Sequence, residues 1–316
     1  MRLRLLLAVA LLLTGCAATD EPEPAPRTWT VELGTAPTLL ALTGDQVYAA
    51  SFGNGVGGSQ VYRVDRATGR RAAKRTLAGQ PNGLALAPDG EVWLATLQLP
   101  DQPSGTGLQV LDPMTLQTRR ALPSPTAPLS VAFVEEALWV GDARGVRELD
   151  RTTGQVRRTV VTDVPAYRLL PLGDRLLVVG PSGVQLVDPV AAAPGAVQRL
   201  DAGGSVSATG DAERIWVVHP DREDRSVLAR LDLPSLRPAV TAPSPGRAGA
   251  GAYLAGDRLW VSDPAGGRLR CLDAGTGAVR SEYEAPLTGP LVADEIVVVT
   301  AQSGGLRAVP ADCDPD

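Results

Sequence analysis

Pro81-Asn82-Gly83-Leu84-Ala85-Leu86-Ala87-Pro88-Asp89-Gly90-Glu91-Val92-Trp93-Leu94-Ala95-Thr96 reads as strand, turn, strand. Pro88-Asp89-Gly90 is a hairpin turn, in which glycine supplies the positive φ that other residues avoid. Gly83–Ala87 and Glu91–Thr96 flank it as short apolar strands. Leu108–Leu111 follows as a third strand, Asp112-Pro113-Met114-Thr115 turns the chain, and Leu116–Leu122 returns as a fourth. Four antiparallel strands of this kind make one slab.

The second strand of that slab recurs along the chain. Its copies are Gln46–Ser51, Glu91–Thr96, Ala137–Gly141, Arg175–Val179, Arg214–Val218, Arg258–Ser262 and Glu295–Thr300. Tyr48, Trp93, Trp139, Leu177, Trp216, Trp260 and Val297 hold the matching place, 37 to 46 residues apart. Gly44-Asp45, Gly173-Asp174, Gly210-Asp211 and Gly256-Asp257 make the preceding turn. The turn after the third strand opens on Asp65, Asp112, Asp150, Asp188, Asp232 and Asp273, where the carboxylate can accept backbone N–H bonds.

A period near 40 residues, short strands and no helical pattern predict an all-β chain: a seven-bladed β-propeller of four-stranded antiparallel blades. Blade seven shows only three strands, around Leu291, Glu295–Thr300 and Leu306–Val309. Thr28-Trp29-Thr30-Val31-Glu32-Leu33 alternates as a strand does and precedes blade one. It is expected to pair in the last blade and close the ring, leaving no open sheet edge. The four tryptophans of the second strands are expected to pack between neighbouring blades.

The first residues predict export and anchoring. Met1-Arg2-Leu3-Arg4 is basic, and Leu5–Leu13 is apolar but too short to span a bilayer, which takes about 20 residues. Leu13-Thr14-Gly15-Cys16 resembles the bacterial lipobox, which implies a signal peptide over residues 1–15 and a diacylated Cys16. Two or three acyl chains, at ~0.8 kcal/mol per buried CH₂, would hold the chain at a membrane surface, with lipid as its first partner. Ala17 follows, where an Asp would resemble the inner-membrane retention signal. The expectation is the extracytoplasmic face of the cell envelope, on the outer membrane if there is one. Residues 16–27, with Asp20-Glu21-Pro22-Glu23-Pro24-Ala25-Pro26, read as an extended tether, and 28–316 as the propeller.

Composition narrows the partners. The net charge is −5, and nearer −7 once Arg2 and Arg4 are removed. An acidic chain without a basic stripe argues against nucleic acid. A monomer is expected. Cys271 and Cys313 remain beside Cys16, an even number suited to an oxidising compartment. A bridge between them would pin the C-terminus to its neighbouring blade, while spacing alone leaves two free thiols equally open.

The strand-turn-strand rhythm, the Asn82 stretch and the Asp-x-x-Thr-Gly turns resemble the YVTN, NHL and quinoprotein-type repeats of bacterial envelope proteins. That resemblance implies architecture and leaves function open, since such repeats serve enzymes, binders and scaffolds alike. The Asn82 stretch also resembles the senescence-marker/gluconolactonase and virginiamycin B lyase families. The first implies a divalent metal held by Glu, Asn and Asp, the second a histidine beside a metal.

Ligands of propellers meet one mouth of the central channel. The loops that build it join blade to blade and second strand to third. Asn54 and Asn82, the two asparagines, fall there, as do Asp142 and Asp263 just after second strands. His219, the one histidine, sits in the charged segment His219–Arg225, read as a loop. These five are the candidate ligand-binding residues. Short polar residues in tight turns explain them as well. No zinc spacing, Gly-x-Ser-x-Gly elbow or phosphate-cradling loop before a helix is present, so no cofactor or catalytic set is assigned. The expected function is non-catalytic binding of a protein or small ligand on the mouth face. The alternatives are a metal-dependent lactonase, hydrolase or lyase, and a scaffold in envelope assembly.

Overall fold

The computed structural model describes residues 28–53, 58–97, 107–124, 126–202, 205–223, 225–247 and 251–313. Asn54, Cys16 and the whole of 1–27 lie outside them. The described residues form 28 strands in seven four-stranded antiparallel sheets and no helix. Each sheet is one blade, with its first strand innermost. In blade four the strands are Arg168–Leu172, Arg175–Gly180, Gly183–Asp188 and Ala193–Arg199, hydrogen-bonded in that order.

The ring closes as the alternation of residues 28–33 predicts. Trp29–Glu32 is the outermost strand of blade seven, antiparallel to Gly305–Pro310, with Trp29 opposite Ala308 and Glu32 opposite Gly305. Trp29 also reaches forward. Its indole N–H donates to the Arg66 carbonyl of blade one at 2.7 Å, and its ring packs between blades seven and one.

Seven apolar clusters fill the interfaces between blades, one to each. Tyr48, Trp93, Trp139, Leu177, Trp216 and Trp260 each sit in a different one. The four second-strand tryptophans are fully buried. Trp216 adds a hydrogen bond, its indole donating to the Ala274 carbonyl of blade six at 3.0 Å. Arginines do the same elsewhere. Arg75, Arg120 and Arg158 donate to Leu116, Arg151 and Pro189 carbonyls of the next blade at 2.9, 3.1 and 2.7 Å. Arg120 and Arg158 also lie over the Trp93 and Trp139 rings, 5.6 and 5.7 Å from their centroids.

The turns before the fourth strands carry the aspartates as expected. Asp112 Oδ1 accepts from the Thr115 and Met114 amides at 2.7 and 2.9 Å, and Asp150 Oδ1 from Thr153 and Thr152 at 2.8 and 2.9 Å. An arginine seven residues on clamps the other oxygen: Arg119 on Asp112 and Arg157 on Asp150, both at 2.5 Å, and Arg280 on Asp273. Four residues after the Asp the chain turns left-handed. Gly69, Gly154 and Gly277 hold that place with φ of 70°, 73° and 76°.

Most strand boundaries shift by one to three residues from the sequence reading, as in Gln80–Leu86 for Gly83–Ala87, and three differences have a physical reason. The fourth strand of blade two starts at Thr118, because Leu116 stands in the glycine place of the turn with φ 60° and its amide donates to Asp112. The second strand of blade seven starts at Val297, because Glu295 and Ile296 form the turn, held by Asp294 Oδ1. Val299 therefore matches Tyr48, not Val297. Finally, His219 is not in a loop. The second strand of blade five runs to Pro220, since the ladder continues through His219 opposite Val227.

Cys271, in the third strand of blade six, is bridged to Cys313, beyond the third strand of blade seven, with Cα atoms 5.7 Å apart. The bridge closes a loop of 42 residues. Chain entropy assigns such a loop about 4 kcal/mol. Replacing both cysteines by alanine should therefore lower unfolding free energy by about 4 kcal/mol in urea titration, and reductant should act on the native chain alike. A loss below about 1 kcal/mol would mean that the bridge does not restrain the unfolded chain.

The turn aspartates set an acid limit. Amide bonds from Thr115 hold Asp112 at about 2, and the Thr153 amide and Arg280 hold Asp150 and Asp273 far below the usual carboxylate range. A depressed folded pKa stabilises above the unfolded value of about 4 and loses that contribution as pH falls towards the folded value. The thermal midpoint should stay level above about pH 5 and fall between about pH 4 and 2. Asn at positions 112, 150 and 273 together should lower the neutral-pH midpoint and flatten that fall. An unchanged acid slope would assign the limit to other carboxylates.

Candidate functional site

The first strands of the blades surround a central channel. Its mouth lies where those strands begin, and there a cavity of about 190 Å³ opens. Thr38, Asn82, Ser130, Tyr167, Arg168 and Ser207 supply polar groups to its wall. A second cavity of about 270 Å³ continues towards the far end, with Phe133 and Pro171 among its apolar lining. Leu40, Leu84, Val131, Leu169, Tyr253 and Val292 line both, so the two are one channel, with Arg168 at its mouth and, Tyr253 apart, apolar side chains set between polar backbone groups in its throat.

Arg168 is the one charged residue among the described residues lining either cavity. It opens the first strand of blade four, opposite Val179. In five other blades that place belongs to Leu39, Gly83, Ser130, Ser207 and Gly251. Its guanidinium has no carboxylate partner among the described residues. The polar atom it meets is Ser207 Oγ at 3.5 Å, the outer limit of a hydrogen bond. That oxygen already accepts from the Ala252 amide at 3.1 Å. Water reaches Arg168 through the open channel. Arg168 is exposed there, while the protein packed about the channel pulls its pKa down by desolvation, with Tyr253 opposing. An arginine so placed stays charged. Burial raises the Tyr253 phenol in turn, more than Arg168 offsets.

The five sequence candidates separate. Asn82 lines the mouth from within the first strand of blade two, Gln80–Leu86, at the irregularity between Pro81 and Gly83 and not from a loop, and its side chain makes no hydrogen bond among the described residues. Asp142 is buried in blade three, where Oδ1 accepts from the Arg144 and Gly145 amides at 2.7 and 3.1 Å and Arg147 pairs with Oδ2. Asp263 is buried in blade six, accepting from the Gly266 amide at 2.9 Å and pairing with Arg270 at 3.2 Å. Both carboxylates serve their own hairpins and neither lines the channel. His219 is 9% exposed, its Nδ1 3.0 Å from the Pro220 carbonyl. Asn54 lies outside the described residues. Among the described residues no group of three or more His, Cys, Asp or Glu side chains could hold a metal ion.

Arg168 was not among the candidates. It is one of many arginines and belongs to no motif. The signal that would have found it is the register: the first strands of other blades begin on small or uncharged residues.

No family model and no curated protein matches this sequence. Solved structures do match. A chain of Kuenenia stuttgartiensis hydrazine synthase aligns over 96% of this chain and 100% of that one, with a TM-score of 0.72 at 13% identity. BamB from Moraxella catarrhalis aligns over 90% of this chain and 96% of that one, with a TM-score of 0.58 at 14% identity. At such identities the likeness is one of fold.

Proposed function

We propose that this chain is a lipid-anchored, extracytoplasmic propeller that holds a protein partner or small ligand on its mouth face without catalysis. The observation that carries the reading is Arg168. A guanidinium stands at the mouth with no carboxylate partner among the described residues, in a cavity that Asn82 also lines with no side-chain hydrogen bond among them. Charge without a structural partner in a concave site is what a ligand would complete. Asp142 and Asp263 support binding over metal chemistry, since each commits its oxygens to a turn and an arginine.

Anchoring rests on residues 1–27. Leu13-Thr14-Gly15-Cys16 supports cleavage before Cys16 and its acylation, and the Pro/Glu-rich stretch supports a spacer between lipid and ring. The bridged Cys271–Cys313 pair suits an oxidising compartment.

Two measurements test the two halves. A photoreactive residue in place of Tyr167, half exposed at the mouth, should capture the ligand or partner in intact cells, read by mass spectrometry of the adduct. The same residue in place of Val190, in a turn on the opposite face, should capture nothing. Capture confined to Val190, or to neither site, overturns the mouth-face reading. For the anchor, the mature protein should begin at Cys16 and carry acyl mass. Cys16→Ala should move it from the membrane to the soluble fraction. A mature chain retained at the membrane without acylation overturns that half.

A further inference from the structure

The mouth-face reading leaves the chemistry of the occupant open, and the channel narrows it. Arg168 is exposed at the mouth, so water solvates its guanidinium, and its charge is free to meet a ligand that enters the channel. Within the protein nothing neutralises it: the cavities bring it hydroxyls, an amide, phenols and apolar side chains, and no carboxylate among the described residues. The Asn82 amide and the Tyr167 and Tyr253 phenols, which line the same cavity, can donate as well. A guanidinium suits an oxyanion, which accepts two parallel N–H bonds from the planar fork.

Below Arg168 the chemistry changes. Leu40, Leu84, Val131, Leu169 and Val292 continue from the mouth into a throat that also takes in Phe133 and Pro171. Nothing charged lines this part among the described residues, so a second charge on the ligand would be left without a partner. Apolar carbon would be well placed against those side chains, out of water.

We propose that the channel binds an amphipathic anion, a carboxylate or phosphate head held at Arg168 with an apolar tail lying in the throat. The inference rests on the mouth-face reading and specifies its ligand. The juxtaposition is of one guanidinium without a carboxylate partner among the described residues and a passage lined, Tyr253 apart, by apolar side chains.

The test uses the full chain in lipid nanodiscs, titrated calorimetrically with hexanoate, hexyl phosphate, hexanol, hexylammonium and acetate, with empty discs as the blank. Hexanoate or hexyl phosphate should saturate a site at least tenfold tighter than hexanol or acetate, and hexylammonium should not bind. Which of the two anions is tighter identifies the head. Arg168→Gln should weaken the anion at least tenfold while the hexanol signal stays unchanged, and Arg168→Lys should recover part of the loss. Circular dichroism and the thermal midpoint of each variant check that the ring is intact. Equal binding of hexanol and hexanoate, an anion affinity indifferent to Arg168→Gln, or acetate as tight as hexanoate would each overturn the proposal. If no probe binds while a residue at position 167 still captures a partner, the amphipathic anion is wrong and the mouth-face reading stands. Failure of both ends both.

Discussion

Everything in this ring depends on the pairing of Trp29–Glu32 with Gly305–Pro310. Without it blade seven ends on an open edge, and the last slab meets the first only through side chains, an apolar cluster and the Arg66–Asp294 ion pair. The contact is made twice over. Backbone bonds join the two ends of the chain within one sheet, and the Trp29 side chain crosses into blade one. Blade one is shaped to receive it. A Cβ on Gly69 would lie 2.7 Å from the Trp29 ring, so glycine there answers both a φ of 70° and the indole. The channel is a consequence: first strands surround an axis only when the seventh blade abuts the first. The apolar throat exists because the ends of the chain meet.

Between blades the same device is repeated with different residues. A side chain of one blade supplies a donor, and a carbonyl in the turn of the next accepts it. Tyr48 reaches Pro113 at 3.0 Å, Trp216 reaches Ala274, and Arg120 reaches Arg151. These turns must therefore be rigid, which explains why their aspartates are bonded so heavily. The left-handed position shows how the requirement is met without glycine. Leu116 and Leu236 occupy it at φ of 60° and 56°, where an L-residue costs roughly 1–2 kcal/mol. Both side chains are fully buried in interface clusters, which returns roughly 1.5–3 kcal/mol. Burial offsets the strain, so leucine is stable where local rules ask for glycine.

That exchange marks the boundary of what could be read in the sequence. The blade rhythm was legible because turns are local: Asp89-Gly90 or Asp150-x-x-Thr153-Gly154 declares itself within five residues. The closing strand was legible because blade seven came out one strand short. Leu116 misled because its reason is tertiary, a pocket in the next interface. Glu295 and Ile296 misled because they continue an apolar, charged pattern that suits strand or turn equally. His219 was read as loop because the charged residues after it masked two more ladder pairs, His219 with Val227 and Pro220 with Ser226. The site was the least legible part. Asn82 was found through its turn-like neighbourhood. Asp142 and Asp263 drew notice by being acidic and near the mouth, though hydrogen bonds invisible in the sequence occupy them.

Arg168 was silent for a different reason. A single arginine in an arginine-rich chain carries no message, and its meaning comes from comparison with the places it matches around the ring. A propeller presents nearly the same backbone to its axis from each blade, so fold alone calls for no charge there. Leu39, Gly83, Ser130, Ser207 and Gly251 show that uncharged residues satisfy the first strand at that height. The one departure is therefore informative in a way that the many paired arginines are not. Arg119, Arg157 and Arg280 each clamp an aspartate, and Arg270 joins Asp263 to Glu282. Their charge is spent on the fold. Symmetry of the scaffold and asymmetry of the charge together direct an anion to one side of the mouth, beside blade four, with the apolar passage beneath it.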